Sequence, residues 1–226
     1  MKNLYFHRTH FLIESDRMKF SHLFTALAAF LIISCKNNIS NSEYDLVVYG
    51  GTSGGIAAAI QAKRMGKKVI LIEPSPRIGG LTTGGLGQTD IGNKAAIGGI
   101  SREFYERIKT YYDDTTNWGW QKREEYIDGG QTRTKIGENA MWTFEPSAAL
   151  DVYNKFLADE NIELVVSEKL DRTNGIIKDG TDIVAVKMLS GKMYSGKMFI
   201  DATYEGDLLA AVGVSYIVGR ESNAAY

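Results

Sequence analysis

Histidine and cysteine are missing from most of this chain of 226 residues. His7, His10, His22 and the single cysteine, Cys35, are the only residues of these types. The chain after position 35 therefore cannot form a Cys/His zinc site, a Ser-His-Asp triad, a dithiol pair or a cysteine nucleophile, and no metal site is expected. If the protein is an enzyme, we expect a bound cofactor to supply the difficult chemistry.

Proline and net charge are also low, with 3 prolines and a formal net charge of −1. The basic residues are spread along the chain, so the sequence indicates no nucleic-acid-binding surface. No low-complexity linker follows Ser42. The hydrophobic content of 44% is sufficient, at this length, for the core of one domain or slightly more.

The most informative motif is a glycine-rich turn between two apolar runs. Residues 45–49 predict a strand that is buried on both faces, and the sequence GGTSGG follows at 50–55. A helix is predicted to continue from this turn to Met65, with Gly66 as its left-handed stop. Residues 69–72 predict a second strand, which ends at the acidic residue Glu73.

This order of strand, glycine turn, helix, strand and acid is typical of a site for a dinucleotide. Gly50 permits the turn, and the helix opening presents free N–H groups and a positive dipole end to a diphosphate. Thr52 replaces the usual middle glycine, and its hydroxyl could donate to a phosphate oxygen. Glu73 can accept the ribose hydroxyls and argues against NADP. The predicted residues at the helix opening are Ser53, Gly54 and Gly55. A βαβ unit without a ligand is the alternative.

NAD and FAD are both compatible with this motif, and the next segment favours one of them. The sequence RIGGL contains Arg77, Gly79, Gly80 and Leu81. At this point the chain resembles FAD-dependent oxidoreductases of the glutathione-reductase type, and more narrowly a family common among bacterial secreted proteins and lipoproteins. The resemblance implies FAD as the cofactor, with the Arg-x-Gly-Gly element along the flavin nucleotide.

The resemblance continues through GGISREFY at 98–105, WTFEP at 142–146 and FIDATYEGD at 199–207. In the last of these motifs, Tyr204 stands where the family usually has a glycine. The implied fold class is α/β, a Rossmann-like FAD/NAD(P)-binding domain at residues 44–226. Its parallel sheet should place the strands near 163, 69, 45 and 198 side by side, and the pattern at 173–198 predicts an inserted antiparallel β-meander.

Three further helices are predicted, at 101–111 with Ser101 as N-cap, at 146–159 and at 207–212 with Gly213 as its end. Residues 111–141 are predicted to form a loop insertion or partial cap. Trp118, Trp120 and the nearby Trp142 are the three tryptophans of the chain. Ordinary packing of the insertion is favoured for them over a stacking platform for a sugar or another flat substrate.

The sequence pattern at the amino terminus predicts a targeting segment rather than part of the folded domain. Residues 18–34 have the pattern of a bacterial signal peptide, with an apolar core too short to span a membrane. The sequence LIISC at 31–35 resembles a lipobox, which implies an acylated Cys35, a tether at 35–43 and anchoring at the bacterial cell envelope. A secretory signal with an incidental cysteine is the alternative. Residues 1–17 are acidic in part, and we predict that they are a non-native extension preceding the initiator Met18.

The predicted function is an FAD-dependent oxidoreductase in which a small-molecule substrate gives hydride to the flavin. The sequence defines neither the substrate nor the electron acceptor, and it assigns no catalytic residue. Members of the resembled family continue beyond the point that corresponds to Tyr226, so the FAD-binding domain is expected to be incomplete. A non-catalytic fragment is therefore one alternative, and an NAD-binding dehydrogenase is another, against which the Arg-x-Gly-Gly element counts.

Overall fold

The computed structural model describes residues 43–127, 129–135 and 137–225. Its strands form one six-stranded sheet in the order β3-β2-β1-β6-β5-β4. The strands are β1 (Tyr44–Tyr49), β2 (Val69–Ile72), β3 (Glu163–Val165), β4 (Ile176–Asp179), β5 (Asp182–Lys187) and β6 (Met193–Asp201). Strands β3, β2, β1 and β6 are parallel, whereas β6, β5 and β4 form an antiparallel meander. The predicted strand order and the predicted meander are both confirmed.

Strand β1 is the centre of the parallel part of the sheet and is buried on both faces. Its residue Val47 pairs with Ile70 of β2 on one side and with Phe199 of β6 on the other. Successive side chains point to opposite faces, so Val48 joins the core under the helices while Val47 joins the core on the meander side. This double burial explains why β1 and β2 are continuous apolar runs rather than alternating ones.

Five α-helices accompany the sheet within the described part of the chain. They are α1 (Ser53–Arg64), α2 (Gly80–Gly84), α3 (Gly99–Asp113), α4 (Pro146–Asp159) and α5 (Asp207–Val212). The apolar sides of α1, α3 and α4 share one core with β1 and β2, in which Ile56, Ile108 and Phe156 are fully buried. This packing fixes the position of the amino end of α1 at the edge where the parallel strands end.

The helix boundaries test the predicted start and stop signals. Helix α4 has the predicted bounds, because Pro146 stands at its first turn, where a missing N–H costs nothing. Gly66 has a φ of +79° and follows the last turn of α1, as predicted. The prediction of Ser101 as the N-cap of α3 is wrong. The helix begins earlier, with Gly98 as N-cap, because the Arg102 N–H already donates to the Gly98 carbonyl.

Several predictions concern residues outside the described part of the chain. The extension at 1–17, the signal peptide at 18–34, Cys35 and all but the last residue of the tether at 35–43 belong to this group. In the described ranges, no helix has both the length and the apolar character needed to cross a membrane. In the same ranges, no cluster of three or more His, Cys, Asp or Glu residues is placed to hold a metal ion.

Candidate functional site

The amino end of α1 is enclosed by segments that are distant in sequence. We use the name α1 amino-end site for residues 50–55, Glu73, residues 79–82 and residues 202–204. The Gly79 N–H donates to the Gly51 carbonyl at 2.7 Å, and the Ala202 N–H donates to the Tyr49 carbonyl at 2.7 Å. Backbone hydrogen bonds therefore hold residues 79–82 against the glycine turn and residues 202–204 against the strand end that precedes it.

The glycines of the turn are of two kinds. A Cβ at Gly55 would overlap the Gly50 carbonyl oxygen, and Gly50 itself has a φ of +105° with Ala202 and Thr203 backbone atoms 2.6 Å from an added Cβ. These glycines are required by the fold. At Gly54, in contrast, an added Cβ meets only the Thr52 hydroxyl oxygen, at 3.8 Å. The space in front of Gly54 is open, so its lack of a side chain leaves room for something other than this chain's own packing.

The first N–H groups of α1 differ in whether they already have partners. Thr52 is the N-cap, and its hydroxyl oxygen accepts from the Gly55 N–H at 3.3 Å. The N–H groups of Ser53 and Gly54 have no acceptor among the described residues. Of the three amides predicted to face a diphosphate, two are therefore open at the positive end of the helix, and that of Gly55 is not.

Thr52 has a different role from the one that its hydroxyl suggested in the sequence. The hydroxyl donates to the Ala202 carbonyl at 2.8 Å. A hydroxyl has one proton, so in this structure it is not available to donate to a phosphate oxygen. Thr52 instead ties the start of α1 to the end of β6, and this corrects the predicted phosphate contact.

Glu73 lies at the end of β2 and is only 8% exposed. Its Oε2 accepts from the Gly51 N–H at 2.6 Å, and its Oε1 accepts from the Ser75 N–H at 2.8 Å. The carboxylate thus holds the glycine turn in place. An ionised carboxylate has about four lone-pair sites, so each oxygen retains capacity for a further donor such as a ribose hydroxyl. The ribose contact stays a prediction.

The Arg-x-Gly-Gly segment lies beside the helix opening, but its members face different partners. Arg77 is exposed, and its guanidinium donates to the Pro146 carbonyl at 3.3 Å. Gly79 and Gly80 have φ values of +91° and +54°, which other residues rarely adopt. The Leu81 N–H donates to the Tyr204 hydroxyl at 2.7 Å. A nucleotide contact by this segment stays a prediction.

Tyr204 and Thr82 belong to the site and Tyr153 borders it, although sequence reasoning assigned none of them to it. A Cβ at Gly80 would overlap the Tyr204 hydroxyl, so the glycine and the tyrosine fit each other. The hydroxyls of Ser53 and Thr82 are 2.7 Å apart. Burial raises the pKa of Tyr153, and hydrogen bonds with these two hydroxyls oppose the rise. Tyr153 lies on the apolar face of α4, where its sequence position indicates only a core residue.

The tryptophans of the insertion region lie in two kinds of environment. Trp142 is fully buried, and its indole N–H donates to the Glu138 carboxylate at 2.7 Å. The Trp118 indole N–H donates to the Tyr112 carbonyl at 2.8 Å. Trp120, however, is 92% exposed and lies at the rim of a cavity. Packing accounts for Trp118 and Trp142 but leaves Trp120 unexplained.

The parallel sheet, the glycine turn and the acidic end of β2 define an α/β protein with a Rossmann-like dinucleotide-binding arrangement. Residues 45–226 match the family model described as FAD dependent oxidoreductase. The chain belongs to that family, whose cofactor is FAD. This agrees with the resemblance and with the predicted cofactor.

The individual relatives are longer than this chain. The NADH:fumarate oxidoreductase of Klebsiella pneumoniae (strain 342) is 46% identical over 153 residues, which are 64% of this chain and 14% of the relative. The L-proline dehydrogenase from P. horikoshii aligns with a TM-score of 0.46 and 15% identity, over 79% of this chain and 58% of that one. The L-amino acid deaminase from Proteus vulgaris aligns with a TM-score of 0.43 and 14% identity, over 71% and 53% respectively.

The α1 amino-end site fits the chemical needs of FAD in three respects. It offers the open N–H groups of Ser53 and Gly54 to a diphosphate, and it leaves space in front of Gly54. It also has an acceptor-only side chain, Glu73, at the adjacent strand end. A carboxylate at this position suits a ribose diol and would repel a 2′-phosphate.

Proposed function

We propose that the α1 amino-end site binds the adenosine and diphosphate of FAD, and that the chain forms the FAD-binding part of an oxidoreductase acting on a small molecule. The observation that carries this proposal is the pair of open amides at Ser53 and Gly54, because unpaired N–H groups at a helix start favour an anion. Family membership supports the same cofactor.

Each part of the site has a separate task in this proposal. The first turn of α1 binds the diphosphate, Glu73 orients the ribose, and residues 79–81 lie along the nucleotide. Thr52 and the backbone of residues 79 and 202 hold these parts at fixed spacing. When bound, FAD supplies the two-electron acceptor, which takes hydride from a substrate. The chain's own task is to bind and orient the cofactor.

Uptake of cofactor by the full chain tests this proposal. We expect the purified protein to bind FAD, with a change in the visible flavin spectrum, and we expect excess NAD not to displace it. Gly54→Ala should fold normally and bind FAD at least about tenfold more weakly, because its methyl group enters the open space. A folded protein that takes up no FAD, or that prefers NAD, would overturn the proposal.

We also propose that Cys35 is acylated and anchors the protein to the bacterial cell envelope. The support is the apolar segment at 23–33, whose last residues begin the sequence LIISC at 31–35. Metabolic labelling with a palmitate analogue in a bacterial host should label the chain, and Cys35→Ser should abolish the label and release the protein from membranes. Labelling that persists in Cys35→Ser would contradict the proposal.

A further inference from the structure

Half of the residues that line a cavity in and beside the insertion are aromatic. Its volume is about 210 Å³. Sites for drug-sized ligands have roughly 300–1,000 Å³, so this cavity suits a small molecule or one group of a larger one. The aromatic side chains that line it are Tyr112, Trp118, Trp120, Tyr126 and Phe144.

Neighbouring rings of this cavity are tilted against each other. The ring centroids of Tyr112 and Trp118 are 5.1 Å apart, and the planes are 55° apart. Trp118 and Tyr126 repeat this arrangement at 5.4 Å and 55°. The indole N–H of Trp118 donates to the Tyr112 carbonyl at 2.8 Å, which fixes the central ring. Together the tilts make a curved aromatic wall, which can contact a compact group from several sides.

Among the described residues that line this cavity, Glu145 is the only charged one. Its Oε2 accepts from the Tyr112 hydroxyl at 2.9 Å, so the carboxylate is held beside the aromatic wall. The Thr143 hydroxyl also lines the cavity and has no hydrogen-bond partner within the described residues, although its oxygen is buried. The cavity therefore combines aromatic faces with one negative charge and one unused polar group.

Elsewhere in the chain, Arg and Lys side chains of the protein itself lie over aromatic rings. The Arg107 guanidinium lies 3.9 Å from the Phe156 ring centroid, and Arg102 lies 5.1 Å from that of Trp142. In the described ranges, no Lys or Arg lies over the ring of Trp118 or Trp120. The Trp120 ring is almost fully exposed at the rim and is therefore available to a cation from outside.

We propose that this cavity binds a small organic cation, with an ammonium group held by Glu145 and the curved aromatic wall. Ring faces attract cations through their negative quadrupole, and the carboxylate adds a direct charge interaction. A neutral ligand could stack on the rings, but it would gain nothing from the charge of Glu145. The cavity contains no residue of the α1 amino-end site, so this proposal does not depend on the proposal that the chain binds FAD.

A second cavity shares four lining residues with the first, namely Tyr112, Trp118, Tyr126 and Met141, and it contains basic residues. Two of them, Lys109 and Arg123, both pair with Asp113, at 2.5 and 3.0 Å. Their positive charge is therefore partly balanced within the protein. This arrangement leaves the aromatic wall and Glu145 as the features that select a ligand in the first cavity.

Binding of choline to the full chain tests the proposal, with 3,3-dimethylbutan-1-ol as a neutral control of the same shape. We expect calorimetry to show choline binding at least about tenfold tighter than the alcohol, and tryptophan emission to change as Trp120 is covered. Equal binding of the two compounds, preferential binding of acetate, or absence of any choline binding would overturn the proposal.

Two variants and a matched control sharpen this test. Glu145→Gln keeps an acceptor for the Tyr112 hydroxyl but removes the charge, so choline affinity should fall about tenfold. Glu124→Gln removes the same charge from the insertion at an exposed position that does not line the cavity, and it should bind choline like the parent protein. Trp120→Phe should lose most of the emission change. If Glu145→Gln folds and binds choline as tightly as the parent protein, the proposal is contradicted.

Discussion

The α1 amino-end site and the aromatic cavity beside the insertion differ in which atoms form their binding surface. The first uses backbone N–H groups and the absence of a side chain at Gly54, with Glu73 as its one anionic group. The second is formed by large side chains on α3 and the loops up to Glu145. A binding surface made of backbone groups, which we call backbone-built, tolerates almost no added atoms. A binding surface made of side chains, which we call side-chain-built, can change its ligand when one of those side chains is substituted. We therefore expect mutations in the two regions to have effects of very different size.

Gly55→Ala should have the largest effect. Its methyl group would overlap the Gly50 carbonyl oxygen, and backbone cannot move aside as a flexible side chain can. We expect the free energy of unfolding to fall by at least about 3 kcal/mol in urea titrations. Gly54→Ala, one residue earlier, should leave this free energy within about 0.5 kcal/mol of the parent value or raise it slightly. Similar stability of the two variants would remove the distinction between the two kinds of glycine.

Glu73→Ala should have the next largest effect, because it leaves the buried Gly51 N–H without its acceptor. An unsatisfied buried donor costs about 1–3 kcal/mol, which urea titration of the cofactor-free protein would detect. Glu73→Gln retains one oxygen acceptor and should lose less. If the alanine variant were as stable as the parent, the carboxylate would not be holding the glycine turn.

Tyr204→Phe should have a smaller effect. It removes only the hydroxyl that accepts from the Leu81 N–H, at a position where water can replace it. We expect a loss near 0.5 kcal/mol, about the lower limit for one hydrogen bond. Thermal unfolding of the cofactor-free protein measures this loss. If the melting temperature of Tyr204→Phe were several degrees below that of Gly54→Ala, the Tyr204 hydroxyl would stabilise the fold by more than this one hydrogen bond.

Trp120→Ser should have the smallest effect on stability, although it removes the largest type of side chain. Trp120 is 92% exposed, so its loss deletes almost no internal packing. The free energy of unfolding should change by less than about 0.5 kcal/mol. A larger loss, measured in the same urea titrations, would mean that the rim of the cavity is structural and that the two regions are less different than we infer.

The sequence predicted the backbone-built region well, because the residue types there follow from local geometry. A strand ending at Tyr49, a turn that requires Gly50 and Gly55, and an acid after the second strand are all readable within thirty residues. The same reasoning failed for Thr52. Its partner, Ala202, is 150 positions away, and no local pattern indicates where its proton goes.

The side-chain-built region was predicted only as an insertion with packed tryptophans. Which rings are buried depends on how the loops fold back, and the partners lie on different elements. Trp142 and Trp120 look alike in the sequence, yet one is fully buried and the other is almost fully exposed. The position of Tyr153 in the sequence likewise indicates only a core residue, because its hydrogen bonds with Ser53 and Thr82 join segments that are far apart in the chain.

The central claim is that the open amides at the start of α1 receive the diphosphate of FAD. Its most direct test is an NMR titration of the full chain with FAD, in which the backbone amide signals of Ser53 and Gly54 are followed. We predict that these two signals shift most strongly, while the indole signal of Trp120 does not move. Saturable binding of FAD that leaves both amide signals unchanged would contradict the account.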